Sequence, residues 1–482
     1  MQAFFSIVIP TRQRPELIDN CLYSLKQQTF QDFEVIVCDN EFHNTCRSIF
    51  DKYATDDNRF RYVQPPKELF ISENWEYAIQ FALGKYVGYI QDKMFFYKDA
   101  LEKIYQCICA EKYPDTISWQ FDSYELENRD NWVTCQAGTI HRQYRYGTWT
   151  SKESLKEIEG ILSYSRYGDE FYVTPGPGSV MLGMLSQRLI QKAKNKYGKI
   201  FDFYAPDFGP VILFLNESKS NIEISDHLSV LIPIDNSTGV QGSQKPSIQR
   251  KMYSELNINE NLKFAVVPNY LVTSANLVSA DYNYAISKIQ TLQGKSCNKV
   301  NTLIAIGKQK KFLKEEIPEL LESKFKNMLQ SLTKEEQNFY CEMVEKEVSK
   351  EKVIFQREFF RHPTACIEWN WLENKVDNIL GFCKQSQYIC CYGAGHYGKS
   401  LKYYLESHHI RLSCFIISDD EKNADEIENI SVYHLAQVPF PPDQTGIFLS
   451  LDPRWHGKVI NVLQERGYKK IYSKIAYDVF DS

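Results

Sequence analysis

The sequence predicts an α/β protein of more than one domain, and three observations carry that expectation. Short apolar runs alternate with helix-spaced segments over the first hundred residues, each run ends in polar residues, and the same alternation returns after residue 387. Alternation on this scale calls for a parallel sheet with right-handed crossovers. The polar ends of the runs then fall on one sheet edge, the edge at which open α/β sheets hold ligands. At 482 residues the chain exceeds one ordinary core, so two or three domains are expected.

Taken in order, residues 4–9 read as a buried strand broken by Pro10. Pro15 opens a helix whose apolar positions Leu17, Ile18, Cys21, Leu22 and Leu25 keep helical spacing. Phe33 to Cys38 is a second strand, ending at Asp39; residues 46–53 read as helix and 60–63 as a third strand. Glu73 to Leu83 is expected to be helical, and Tyr86 to Ile90 forms a fourth strand that delivers Gln91-Asp92-Lys93 at its carboxyl end. Residues 115–245 are less regular: the run 174–179 must be a loop, 185–197 is a helix, and Tyr204-Ala205-Pro206-Asp207-Phe208-Gly209 precedes a helix-like run at 211–215. Residues 311–352, rich in Glu, Lys and Leu, predict a helical connector. The implied division is 1–245, a mainly helical 246–375, and a small α/β unit at 376–482.

Composition narrows the function classes. A formal charge of -5 leaves no net positive field to recruit phosphate backbones, so no nucleic-acid partner is expected. Thirteen cysteines with no CxxC spacing point to free thiols in a reducing compartment rather than to disulfides or zinc. No run reaches the ~20 apolar residues of a spanning helix, and no signal peptide is evident, so a cytoplasmic protein is expected.

The order Ser6-Ile-Val-Ile-Pro10-Thr11-Arg12, then Phe33-Glu-Val-Ile-Val-Cys38-Asp39, then Gly84-Lys-Tyr-Val-Gly-Tyr-Ile90-Gln91-Asp92-Lys93 resembles the N-terminal half of family-2 glycosyltransferases, which have the GT-A fold. The resemblance implies a nucleotide-diphosphate sugar donor, a glycan or lipid-linked acceptor of a surface polysaccharide pathway, and transfer with inversion. It also implies peripheral membrane contact through the acceptor, at the inner face of the cell membrane. Pro10, Thr11, Arg12, Asp39, Asn74 and Asp92 take donor-binding positions, Asp39 accepting from the base; the other reading of Asp39 is a turn cap. The Pro206-Asp207 segment is similar to the one that supplies the catalytic base, and the other reading of Asp207 is a helix N-cap. Where the family holds Mg²⁺ or Mn²⁺ through Asp-x-Asp, this chain has Gln91-Asp92-Lys93. Three readings stay open: Asp92 holds a metal, Lys93 replaces it at the departing diphosphate, or turnover is lost and the protein is a nucleotide-sugar-binding scaffold.

Gly393-x-Gly395-x-x-Gly398 follows a strand and opens a helix, and Asp419 ends the next strand, where a ribose-binding acid would sit. The unit is similar to small Rossmann-like modules on bacterial sugar-modifying enzymes. It reads either as a second nucleotide or nucleotide-sugar site, making a bifunctional enzyme, or as a glycine turn set by the fold.

Overall fold

The computed structural model describes residues 2–43, 45–125, 129–130, 134–135, 139–141, 149–164, 176–232, 245–254, 258–345, 381–407, 409–419, 421, 425–427, 429–451 and 456–472. The chain divides into two compact units: residues 1–119, 150–223 and 233–350, and residues 120–149, 224–232 and 351–482. The boundary expected at 375/376 lies outside the described residues, as does the end of the helical run at 346–352.

In the first unit the expected alternation is present as β1 (Phe5–Thr11), α1 (Pro15–Lys26), β2 (Phe33–Asp39), α2 (Arg47–Ala54), β3 (Phe60–Val63), α3 (Ile71–Ala78) and β4 (Tyr86–Tyr89). Strands β4, β1, β2 and β3 lie side by side in parallel, with Thr11 in register with Asp39 and Val8 with Tyr89. Pro10 does not stop β1. It lies past the Phe5–Val8 span paired with β4, so the N–H it lacks is not required by that ladder. Helix α1 starts on Pro15 and turns Ile18, Cys21, Leu22 and Leu25 fully inward. Helix α3 begins two residues earlier than the periodicity suggests and passes into a 3₁₀ turn at Ile79–Phe81.

Beyond β4 come β5 (Met94–Phe96), α4 (Ala100–Ala110), β6 (Thr116–Glu125), β7 (Trp149–Lys152), α5 (Ser154–Ser163), β8 (Gly183–Ser186), α6 (Gln187–Tyr197), α7 (Val211–Glu217) and β9 (Asn221–Leu231). The sheet continues as β7-β9-β6-β8-β4, with β8 antiparallel to both β4 and β6. A mixed sheet replaces the purely parallel one that strand–helix alternation implies, because β8 enters from a part of the chain without that alternation. Helices α8 (Ser274–Ser287), α9 (Lys299–Lys310), α10 (Glu319–Gln330) and α11 (Lys334–Glu345) follow. They do not make a core of their own: Ile158, Ile212 and Leu215 pack in one apolar cluster with Tyr282, Ile304 and Phe325.

In the second unit, β10 (Tyr388–Tyr392), α12 (His396–Ser407), β11 (Cys414–Ile417), β12 (Glu426–Ile427), β13 (Ile430–His434), β14 (Thr445–Leu449), α13 (His456–Glu465) and β15 (Lys470–Tyr472) form a sheet ordered β12-β13-β11-β10-β14-β15. All neighbours except the short β12 run parallel, and leaving it aside the order is third, second, first, fourth, fifth, that of a doubly wound sheet. The described cysteines are free thiols, most of them buried, with Cys390 and Cys414 in register on β10 and β11.

Candidate active site

The carboxyl edge of β1, β2 and β4 gathers most of the residues the sequence singled out. Thr11 ends β1, and its hydroxyl donates to Asp92 Oδ2 at 3.0 Å. Arg14, in the turn before α1, donates to the other oxygen, Oδ1, at 3.2 Å. Asp92 is buried, and burial raises its carboxyl above the usual range while Arg14, Thr11 and the neighbouring Lys93 pull it back. A buried carboxylate with both oxygens occupied by its own chain is a structural anchor for the β4 turn, because an unpaired one would cost several kcal/mol.

Asp39 is fully buried at the end of β2. The Tyr62 hydroxyl from β3 donates to its Oδ2 at 2.5 Å, whereas Oδ1 has no hydrogen-bond partner of ordinary geometry among the described residues. Burial pushes this carboxyl up to about 6; the Tyr62 bond and the Glu41 backbone N–H favour its charged form, and the charges of Glu41 and Asp92 oppose it. The turn reading is met by the Glu41 backbone N–H, and Oδ1 is left without such a partner among the described residues. Asn74 is buried on α3, where its Oδ1 accepts from the Cys38 thiol at 3.2 Å, tying the helix to β2. Arg12 takes another direction: it pairs with Glu68, and both side chains are about half exposed, 54% and 51%. Pro10 contributes backbone to β1 beside Cys38.

Asp207, far along the chain, lies within electrostatic reach of Lys93. It is partly buried in the turn before α7, whose first residue is Val211 and whose N-cap is Pro210. Asp207 thus lies outside the cap, and the helix-capping reading does not hold. Desolvation pushes its carboxyl up to about 6, and Lys93 is the neighbouring positive charge that draws it down. One ammonium therefore acts on Asp92 and on Asp207. The turn is tight: the Ala205 carbonyl accepts the N–H groups of Phe208 and Gly209 at 3.0 and 2.9 Å. A Cβ at position 209 would stand 2.3 Å from the Phe203 ring, so only glycine fits there.

Four contributors were not singled out from the sequence. Arg14 is the second basic residue of Pro10-Thr-Arg-Gln-Arg14, a signal that was present but read only at Arg12. Tyr62 sits inside a short strand rather than at its polar end. Glu76 accepts the N–H groups of Ile200 and Phe201, and Asp281 those of Tyr204 and Ala205; both act on backbone, which leaves no motif.

In the second unit, Gly393 has φ +109°, and a Cβ on Gly398 would lie 2.1 Å from the Gly393 carbonyl oxygen. These two glycines answer to packing of the β10–α12 turn, while Gly395 faces open space. Asp419 accepts from the Ala436 N–H at 2.8 Å and pairs with Arg466 at 2.7 Å.

The parallel β4-β1-β2-β3 edge, extended by the antiparallel β8, is the sheet of the GT-A fold. Residues 6–162 match the family described as Glycosyl transferase family 2. The chain is similar to the glycosyltransferase GlyG of Streptococcus pneumoniae, 22% identical over 125 residues, covering 26% of this chain and 41% of the relative. It is similar too to the GalNAc(5)-diNAcBac-PP-undecaprenol beta-1,3-glucosyltransferase of Campylobacter jejuni, 25% identical over 109 residues, 21% of this chain and 33% of the relative. The chain thus spans less than half the length of these curated relatives. Among solved structures, S. aureus TarS 1-349 in complex with UDP-GlcNAc aligns at 14% identity and TM-score 0.38, covering 73% of this chain and 90% of that one. The mannosyltransferase PcManGT from Pyrobaculum calidifontis, in complex with GDP-Man and Mn²⁺, aligns at 12% identity and TM-score 0.34, covering 71% and 84%.

Among the described residues, no helix is long and apolar enough to cross a membrane.

Proposed function

We propose that this chain transfers a sugar from a nucleotide-diphosphate donor to a hydroxyl of a cell-envelope glycan or lipid-linked precursor, with inversion at the anomeric carbon. The observation that supports this reading most is the position of Lys93, whose charge acts on the Asp207 carboxyl and on Asp92 at the sheet edge. Asp207 takes the proton of the acceptor hydroxyl as that oxygen attacks the anomeric carbon. The bond from that carbon to the diphosphate oxygen breaks on the opposite face, and the diphosphate departs with the electron pair. Lys93 offsets the charge that develops there, a contribution that commonly amounts to about 10²–10³ in rate.

A divalent cation does not fit the residues present. Both Asp92 oxygens are occupied by Thr11 and Arg14, and an incoming ion would meet two positive side chains. Hard cations want several free oxygens. Among the described residues, no three His, Cys, Asp or Glu side chains cluster as ligands. The side-chain chemistry therefore favours Lys93, rather than a metal, at the departing diphosphate.

Asp39 supports a donor base with an imide N–H. Its unpartnered, buried Oδ1 accepts such a proton, which uracil and thymine carry at N3 and cytosine does not. Titration of the full chain with UDP-, dTDP-, CDP- and GDP-sugars tests this reading. Binding of UDP- or dTDP-sugars well above CDP-sugars is expected; equal binding of all four, or none, would contradict it.

A further inference from the structure

We infer that Asp281 is a positioning residue for transfer, holding the turn that carries Asp207; this rests on the reading of Asp207 as the base. Asp281 stands in the middle of α8 and is fully buried. Its two oxygens are spent on consecutive backbone groups, Oδ1 on the Tyr204 N–H at 3.0 Å and Oδ2 on the Ala205 N–H at 2.7 Å. The Ala205 carbonyl in turn accepts from Phe208 and Gly209, so the hydrogen bonds bracket Asp207 on both sides.

Two features separate this from ordinary packing. The first is electrostatic cost. A buried carboxyl is expensive, and this one also faces the negative charges of Asp207 and Asp202; burial first, then these neighbours, push its proton affinity well up. An apolar residue at 281 would avoid that cost, so what the acid supplies is two aligned acceptors for a turn that no regular ladder holds. The second is the rigidity of its support. Helix α8 is capped by Thr273, and Asn276 on the same helix bonds Val267 at both N–H and carbonyl and Tyr270 at its carbonyl. On the approach to the turn, Glu76 Oε2 accepts from Ile200 and Phe201, both at 3.0 Å. Asp281 of α8 therefore grips the start of the Asp207 turn, and Glu76 of α3 fixes the segment that leads to it. Placement errors near 1 Å at a reacting group cost on the order of a hundredfold in rate, which is the effect such a grip prevents.

The test uses the full chain, with UDP release from a UDP-sugar as the rate and UDP titration as the affinity. Asp281→Asn keeps the shape but turns an N–H₂ toward one of the two backbone donors. We expect its kcat to fall about tenfold or more while UDP affinity stays within about twofold of the native protein. Asp281→Glu, which keeps the carboxyl group and displaces its oxygens, should also be slow. The Asp207→Asn/Asp281→Asn double variant should be no slower than Asp207→Asn alone, since a residue acting through Asp207 has nothing left to act on. Native kcat in both Asp281 variants would overturn the proposal. So would loss of UDP binding alongside kcat in both, or a double variant slower than Asp207→Asn by the full factor of Asp281→Asn. Native turnover in Asp207→Asn would instead overturn the base reading, and this inference with it.

Discussion

The charge of Lys93 reaches Asp207, drawing down a carboxyl that desolvation pushes up to about 6. The two residues arrive from opposite sides of the domain's sequence, one on the turn after β4 and the other on the turn before α7. A cation and a partly buried carboxylate within electrostatic reach of each other are the two charges that the proposed acceptor activation and diphosphate departure require. That pairing, with the anchors around it, sets what each substitution should do.

Lys93→Ala should lower kcat by about 10²–10³-fold and weaken UDP binding as well, because the lysine is read as facing the diphosphate that UDP carries. The native protein should keep its rate in EDTA. Steady-state UDP release with and without chelator, on both proteins, checks this. A native rate that vanishes in EDTA and returns with Mn²⁺ would return the role to a metal.

Asp207→Asn should abolish transfer while raising stability at neutral pH. A carboxyl whose folded value is raised to about 6 binds its proton more tightly in the native state than in the unfolded one. Its ionisation therefore opposes folding, and stability falls as pH rises from about 4 to about 6. The asparagine removes that opposition, so the variant should be more stable by on the order of 1–2 kcal/mol above pH 6, with the gain gone below about pH 4. Thermal melts at pH 4 and pH 7.5 check the sign. The same ionisation predicts an acid limb in the native kcat/KM profile near pH 6, because only the deprotonated base accepts the acceptor proton.

Arg14→Ala should destabilise the domain by about 3 kcal/mol, since it leaves Asp92 buried with a lost ion pair. Urea denaturation at pH 7.5 measures the cost. An unchanged midpoint would mean that Asp92 finds another partner.

Gly398→Ala should disrupt the C-terminal sheet, whereas Gly395→Ala should be tolerated in melting experiments. The first places a methyl group 2.1 Å from a backbone oxygen, and the second meets nothing within 4 Å. Weakened nucleotide-sugar binding in a stable Gly395→Ala protein would favour a ligand at that turn over a glycine placed by packing alone.

The strands at residues 5–11, 33–39, 60–63 and 86–89 were legible because buried parallel strands read as short apolar runs closed by polar residues. Helix α1 was legible from Pro15 and its inward stripe. Helices α8 and α9 were legible only as part of a mainly helical stretch and not as separate elements, since both are buried on most sides, as Ala275, Leu277, Ala280 and Tyr282 of α8 illustrate, and a helix buried all round shows no stripe. At the site, Asp39, Asp92 and Asp207 could be read from their positions after strands or in a distinct segment. Arg12 is paired outward with Glu68, while Arg14 two residues on makes the buried contact; a loop fixes no side-chain direction in advance. Asp281 and Glu76 were invisible because they serve backbone groups, and which N–H groups lack a partner emerges only from the folded turn.

The most direct test of the central claim is UDP release from a UDP-sugar by the full chain in EDTA, measured on the native protein and on Asp207→Asn alongside UDP titrations of both. Metal-independent release that disappears in the variant, with UDP affinity retained, is the expected result. Release at the same rate in both proteins, or none from the native protein until Mn²⁺ is added, would contradict a lysine-assisted transferase with Asp207 as its base.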